Sequence, residues 1–353
     1  MDGSKDSDLY RALEGTGAAL ADIRFFCIKR HGYLLLALPR DATAARATLG
    51  LYHPQAIIAR LLVLVVGIMI RLRVHTLLPR VELTIREESP LARMLDDPGS
   101  IGFLLGNPTA KSRRAITLHR KNENVYVDKL GIGGSARELV IKELGHIRGL
   151  PENHVALPVV VNQDISDKWA SYATHYLDGK SPGKSDDDKV IGVLQSWLEK
   201  SEPVLLNETR QWQQMVDYAE ANRVGNIWSR LKKAAAIPVK VGVFHGDFAP
   251  WNVKVLHAGS VHVMDWELGC VDGPAGWDWL HYIVQRAILV DHYSPSKVLD
   301  ECHKWAKTKE GKEFLEKAGW GLEVDYWLGS YLVYSAWISG FEREGLLDEW
   351  MLG

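Results

Sequence analysis

The spacing of apolar residues changes character near residue 100. Before that point, Tyr33-Leu-Leu-Leu-Ala-Leu38 reads as a strand stopped by Pro39-Arg-Asp41. A helical stretch rich in Ala and Arg then leads into ten apolar residues at 61–70. From residue 101, short β-branched segments alternate with turn signals. Strands are expected at 101–105, closing on the turn Gly106-Asn-Pro108, and at 115–118 and 125–130 across the polar loop 121–124. Leu139, Ile141, Leu144, Ile147 and Leu150 follow at helical spacing, with Ser135 as the capping residue, so 136–150 is expected to be a helix. Two more strands are expected at 156–161 and 169–177. The polar stretch 178–187, with its Gly and Pro, reads as a linker, and helices are expected beyond it at 189–200, 208–221 and 227–235. A strand-rich interval at 239–265 interrupts them, and helices resume to the C-terminus. The pattern predicts an α+β, two-lobed chain. A small antiparallel-sheet lobe with one helix would occupy 96–180, a larger, mainly helical lobe 181–353, and an extension of unassigned architecture 1–95.

The apolar run in that extension is too short to span a bilayer, which takes ~20 apolar residues. Two readings stay open. It is a buried helix or strand, or it belongs to a membrane-surface element at 56–73 whose apolar body is flanked by Arg60, Arg71, Arg73 and Arg80 against anionic lipid. The second would place the protein at the inner face of a membrane. Over all 353 residues, 42 Lys and Arg stand against 44 Asp and Glu, a net charge of −2. That balance excludes a polycationic nucleic-acid binder, so no nucleic-acid partner is expected. Cys27, Cys270 and Cys302 are odd in number and far apart, with no CxxC, which fits a reducing, cytoplasmic setting rather than a disulfide framework or thiolate zinc site. Residues 1–8 carry mixed charge without an apolar stretch, so no secretory signal is read there.

Candidate chemistry concentrates in Val241-Gly-Val-Phe-His-Gly-Asp-Phe-Ala-Pro-Trp-Asn252, followed by Val261-His-Val-Met-Asp-Trp-Glu267. An apolar strand delivers His245-Gly-Asp247 to a loop, Asn252 starts a second strand, and a turn at 258–260 sends the chain back to Asp265. The antiparallel return brings Asp247, Asn252 and Asp265 to one end of a hairpin. Phosphoryl transfer from ATP uses such a set. One carboxylate takes or orients the proton of the attacking hydroxyl, while a second carboxylate and an amide oxygen hold Mg²⁺, which prefers hard oxygen ligands. The four residues between Asp247 and Asn252 match the spacing of the protein-kinase catalytic loop.

His-Gly-Asp-x-x-x-x-Asn with a downstream Asp-Trp-Glu resembles the aminoglycoside phosphotransferase/choline kinase family of small-molecule kinases, which share the protein-kinase-like fold. The resemblance spans about 101–341, including the stretch Gly273-Pro-Ala-Gly-Trp-Asp278. It implies Asp247 as catalytic base, Asn252 and Asp265 as Mg²⁺ ligands and His245 as a support of the loop. It further implies that Lys129 holds the ATP phosphates, paired with Glu143 in preference to Glu138; a carboxylate fixes the otherwise mobile ammonium. Tyr176 and Leu177 resemble the hinge whose backbone meets adenine. ATP and Mg²⁺ are the cofactors implied, and a hydroxyl of a sugar, amino alcohol or aminoglycoside is the acceptor. The family's glycine-rich loop is represented only by Gly106-Asn107.

Competing readings are a catalytically silent kinase-like scaffold and a metal-dependent hydrolase using His245 and Asp247. Asp278 reads as a structural acceptor under the catalytic loop, and Glu267 as a metal contact or a turn residue. Nine of the 13 tryptophans lie at 251–350. They invite an aromatic box for a cation, but their helical spacings suit a core. His257, His262 and His281 read as ordinary surface or core residues.

Overall fold

The computed structural model describes residues 6–52, 54, 57–106, 113–151, 155–198, 202–222, 225–321, 323–340 and 345–352. The chain folds as two compact units, 1–144 with 159–178, and 145–158 with 179–353.

The first unit is built on helix α1 (Ser7–Glu14), strands β1 (Ala19–Arg30) and β2 (Tyr33–Leu38), helices α2 (Ala42–Leu49) and α3 (Ile57–Arg71), and strands β3 (Arg80–Arg86), β4 (Gly102–Leu105), β5 (Arg114–Lys121) and β6 (Asn124–Ile132). Helix α4 (Gly134–Gly149) as far as Leu144, and strands β7 (Val160–Ile165) and β8 (Trp169–His175), complete it. All eight strands form one antiparallel sheet in the order β3-β1-β2-β4-β5-β6-β8-β7. Alternation along β1 sends Phe25 and Cys27 to one face, with Leu13 of α1, Ile101 and Phe103. Phe26 and Ile28 go to the other, with Ala45 and Leu49 of α2 and Val66 and Ile70 of α3. Residues 1–95 therefore do not stand apart as an extension. Three of their segments are strands of the same sheet, and β2 is hydrogen-bonded directly to β4.

Two expected boundaries move. The strand placed at 156–161 runs at 160–165, because Pro158 has no N–H for a ladder and β7 is an edge strand that tolerates Asn162, Gln163 and Asp164. Helix α4 starts at Gly134, so Ser135 lies inside its first turn rather than capping it. The turn expected at Gly106-Asn107-Pro108 falls partly outside the described residues.

The second unit holds β9 (Gly179–Lys180), α5 (Asp187–Trp197), β10 (Pro203–Leu205), α6 (Arg210–Asn222), α7 (Gly225–Leu231), β11 (Pro238–Phe244), β12 (Val253–Leu256), β13 (Val261–Val263) and β14 (Cys270–Pro274). Helices α8 (Trp277–Leu289), α9 (Pro295–Ala306), α10 (Lys309–Ala318), α11 (Val324–Trp337) and α12 (Leu346–Leu352) follow. Two three-stranded sheets, β10-β11-β14 and β13-β12-β9, sit among these helices. Trp266, Trp277, Trp279, Trp320, Trp327 and Trp350 are all fully buried, so these six are core, as their helical spacing suggests, and none is placed to form an open aromatic box. The α+β expectation holds, with an antiparallel sheet in the first unit and mostly helix in the second.

Candidate active site

Strand β11 ends at Phe244 and hands the chain to His245-Gly246-Asp247. Gly246 sits at φ +80, and a Cβ there would lie 2.8 Å from the Leu268 Cβ, so the tight passage accepts only glycine. The two amides that follow the strand are gathered by one side chain. His245 N–H donates to Asp278 Oδ2 at 2.7 Å and Gly246 N–H to Asp278 Oδ1 at 3.0 Å. Asp278 stands in the first turn of α8, which is preceded by Gly276 (φ +87), where a Cβ would meet the Trp327 indole nitrogen at 2.8 Å. Burial pushes the Asp278 carboxyl up to about 7; the two backbone N–H bonds pull against that shift, and the nearby Asp247 charge adds to it. Its role is the structural one expected.

His245 is wholly buried. Its Nε2 lies 2.8 Å from the Met264 carbonyl, and its Nδ1 receives the Asp247 N–H at 3.2 Å. It thus ties the 245–247 loop to the strand that returns towards Asp265. Burial holds its pKa below the usual histidine range.

The Asp247 carboxylate is gripped at both oxygens. Oδ2 accepts from Asn252 Nδ2 at 3.0 Å, and Oδ1 lies 2.9 Å from His281 Nε2. Asn252 Nδ2 also donates to the Asp247 carbonyl at 2.9 Å. Both partners are acceptors, so the amide nitrogen must face Asp247, and the amide oxygen is the atom Asn252 presents elsewhere. His281 is held in turn by the Tyr331 hydroxyl, 3.1 Å from its Nδ1. The Asp247 side chain keeps 19% of its surface exposed, within reach of a ligand.

Asp265 is brought beside Asn252 by the hairpin. Val253 pairs with Val263 across β12–β13, and Met264 N–H donates to the Asn252 carbonyl at 2.8 Å. Asp265 itself has φ +67, a left-handed conformation costing a non-glycine residue about 1–2 kcal/mol. Strain of this kind gathers at functional sites. Asp247, Asn252 and Asp265 do converge at one end of the hairpin. Among the described residues, no three His, Cys, Asp or Glu side chains gather as a metal site. Asn252 and Asp265 could offer a cation one amide oxygen and one carboxylate.

In the first unit, Lys129 of β6 lies 2.6 Å from Glu143 of α4, whose side chain is fully buried. Glu143, five residues beyond the exposed Glu138 and on another face of α4, is thus the partner. It shares a buried stripe with Ala136, Val140 and Leu144. Tyr176 and Leu177 follow β8, and the Tyr176 N–H extends the ladder to the Val125 carbonyl at 2.9 Å. The half-buried Tyr176 ring lines a cavity of about 400 Å³ with Thr43, Arg46, Ser100, Arg120 and Asp178. Burial, then the Asp178 charge, raises its pKa.

His281 and Tyr331 were not singled out by the sequence pattern, which treats His281 as ordinary. The available signal was its position three residues after Asp278, on the same face of α8. The cysteines take no part. Burial pushes Cys27 up to about 11 and Cys270 and Cys302 up to about 12, so all three remain thiols at neutral pH.

No family model matches the sequence, and no curated protein does. Solved structures do. The aminoglycoside phosphotransferase APH(4)-Ia, in a ternary complex with ADP and hygromycin B, is 12% identical with a TM-score of 0.46, over 74% of this chain and 93% of that one. The choline kinase LicA of Streptococcus pneumoniae is 14% identical with a TM-score of 0.38, over 67% and 86%. The aminoglycoside phosphotransferase APH(3'')-Id of Streptomyces rimosus is 12% identical with a TM-score of 0.40, over 62% and 91%. These are the protein classes that the motifs resemble.

Proposed function

We propose that this chain is an ATP- and Mg²⁺-dependent phosphotransferase that moves the γ-phosphoryl group to a hydroxyl of a small molecule, with Asp247 as base. It would belong with the aminoglycoside phosphotransferases and choline kinases. The observation carrying this reading is the grip on Asp247. Its two oxygens meet donors from different elements, Asn252 and His281, in a partly exposed position. Donors on both oxygens fix the direction of the carboxylate, which is what orienting an attacking hydroxyl requires.

Asn252 and Asp265 suit Mg²⁺ by the chemistry of their donors, two hard oxygens just outside the paired ends of β12 and β13, with phosphate oxygens and waters left to complete the shell. When bound, the ion would neutralise charge on the transferring phosphates. Lys129, fixed by Glu143, would hold the ATP phosphates. Around Tyr176 and Leu177, adenine would be met by backbone groups other than the Tyr176 N–H, which Val125 already takes.

The test is ADP release by the purified chain with ATP, Mg²⁺ and a panel of sugars, amino alcohols and aminoglycosides. Acceptor-dependent release is expected, falling by at least about 10²-fold in Asp247→Ala with the fold unchanged by circular dichroism. Wild-type turnover in that variant would remove Asp247 from the role. Nucleotide binding without turnover on any acceptor would favour the scaffold reading.

A further inference from the structure

Helix α3 has two apolar faces, and the fold uses one. Val66 and Ile70 are buried against α2 and the sheet. Around the rest of the helix, Ile58, Leu61, Leu64, Val65 and Ile68 are each at least 50% exposed, and Leu72, just past its end, is 66% exposed. Soluble surfaces scatter such residues singly, so a contiguous face of them marks a contact. At 15 residues α3 is about 22 Å long, and no described helix is long and apolar enough to cross a membrane. With its opposite face packed on the protein, α3 can only lie flat on whatever it meets.

Charge decides what that is. Arg60 and Arg71 stand eleven residues, or about three turns, apart, so both lie on the same flank of the exposed face, at its polar border. Arg73 closes the helix at φ +58, a left-handed position that glycine would take more cheaply, and Arg80 follows at the start of β3. From residue 42 to 81 the chain has five arginines and no Asp or Glu, although the whole molecule is slightly acidic. Arginines on the rim of an apolar helix keep their guanidinium groups at headgroup level while their stems follow the apolar side chains down.

We infer that α3 docks in the plane of an anionic lipid bilayer, its exposed apolar face in the acyl boundary and Arg60 and Arg71 on lipid phosphates. The inference is independent of the proposed catalysis. It is tested by flotation of the full chain with phosphatidylcholine vesicles, with and without about one-third phosphatidylglycerol. Binding to the anionic vesicles is expected, weakened by salt, with little on neutral ones. Arg60→Gln/Arg71→Gln should cut partitioning about fivefold per arginine. Leu61→Gln/Leu64→Gln/Ile68→Gln, at exposed positions and checked by thermal melting, should cut it at least about tenfold. The inference fails if the wild-type chain does not float, or if both variants bind as it does. It also fails if the triple variant only converts a dimer to a monomer, since the face would then belong to a second copy.

Discussion

His245 can carry its proton on only one nitrogen. The Met264 carbonyl is an acceptor, so Nε2 must donate; the Asp247 N–H is a donor, so Nδ1 must accept. The ring is therefore neutral, and burial lowers its pKa accordingly. A depressed histidine pKa contributes stability that is present above 6.5, the unfolded value, and is lost as pH falls. Asp278 works the other way. Raised from 3.8 to about 7, it contributes most when protonated, and that contribution fades as pH climbs through this range. Comparing wild type with His245→Gln isolates the first effect. Wild type should lose stability relative to the variant from pH 7 to 5, by at most about 1.4 kcal/mol per pH unit, read from denaturant midpoints; parallel curves would reject a neutral His245. For His281, which touches the proposed base Asp247, His281→Leu should lower kcat about 10²-fold with little change in KM, because Asp247 loses its direction. A change confined to KM, or none, would remove that positioning role. Asp247, Asn252 and Asp265 were legible because their spacing is local, and Asp278, whose partners lie 32 and 33 residues away, through the stretch 273–278 that resembles the family. His281 was not, since the partner that gives it meaning lies 34 residues away.

Among the elements, β6 and α4 show what a pattern reveals and what it hides. Helical spacing after a β-branched strand was enough to expect both, and the choice of Glu143 over Glu138 agrees with the 2.6 Å contact to Lys129. Strand β1 left no such trace. Phe25 to Ile28 are buried in succession because both faces of the sheet are covered there, and the two-residue alternation disappears. The run at 61–70 was equally mute about helix or strand, since it is apolar on every side of α3. The Lys129–Glu143 pair allows stability and chemistry to be separated. Lys129→Met strands a fully buried carboxylate and should cost about 3–5 kcal/mol. Adding Glu143→Leu should recover most of that, because a buried pair replaced by apolar groups is often neutral. ADP release should stay low in both variants. Urea midpoints and turnover measured on the same samples check this, and recovered turnover in the double variant would assign the pair to structure alone.

At the scale of the whole molecule, the boundary expected at residue 95 cuts through a core. Of the fifteen buried residues that pack α1 onto the sheet, ten lie at or before Met94 and five at or after Ile101. Polar ties cross the same line. Asp6 pairs with Arg113 and accepts the Leu34 N–H, while Arg93 pairs with Asp128 of β6 and donates to Ser171 of β8 at 2.7 Å. Asp128 is 1% exposed, and its other oxygen lies 3.0 Å from His119 Nδ1. Removing Arg93 would leave that carboxylate poorly compensated, at a cost of about 3 kcal/mol or more. A chain of residues 96–353 would lose this tie, two-thirds of that core and the strand beside β4, exposing a hydrophobic sheet edge to self-association. It should be insoluble or melt without cooperativity, and Arg93→Leu in the full chain should lower the urea midpoint while remaining folded. A soluble 96–353 fragment with a cooperative melt would show instead that the first three strands are an accessory to the sheet, and that the self-sufficient fold begins near residue 96 after all.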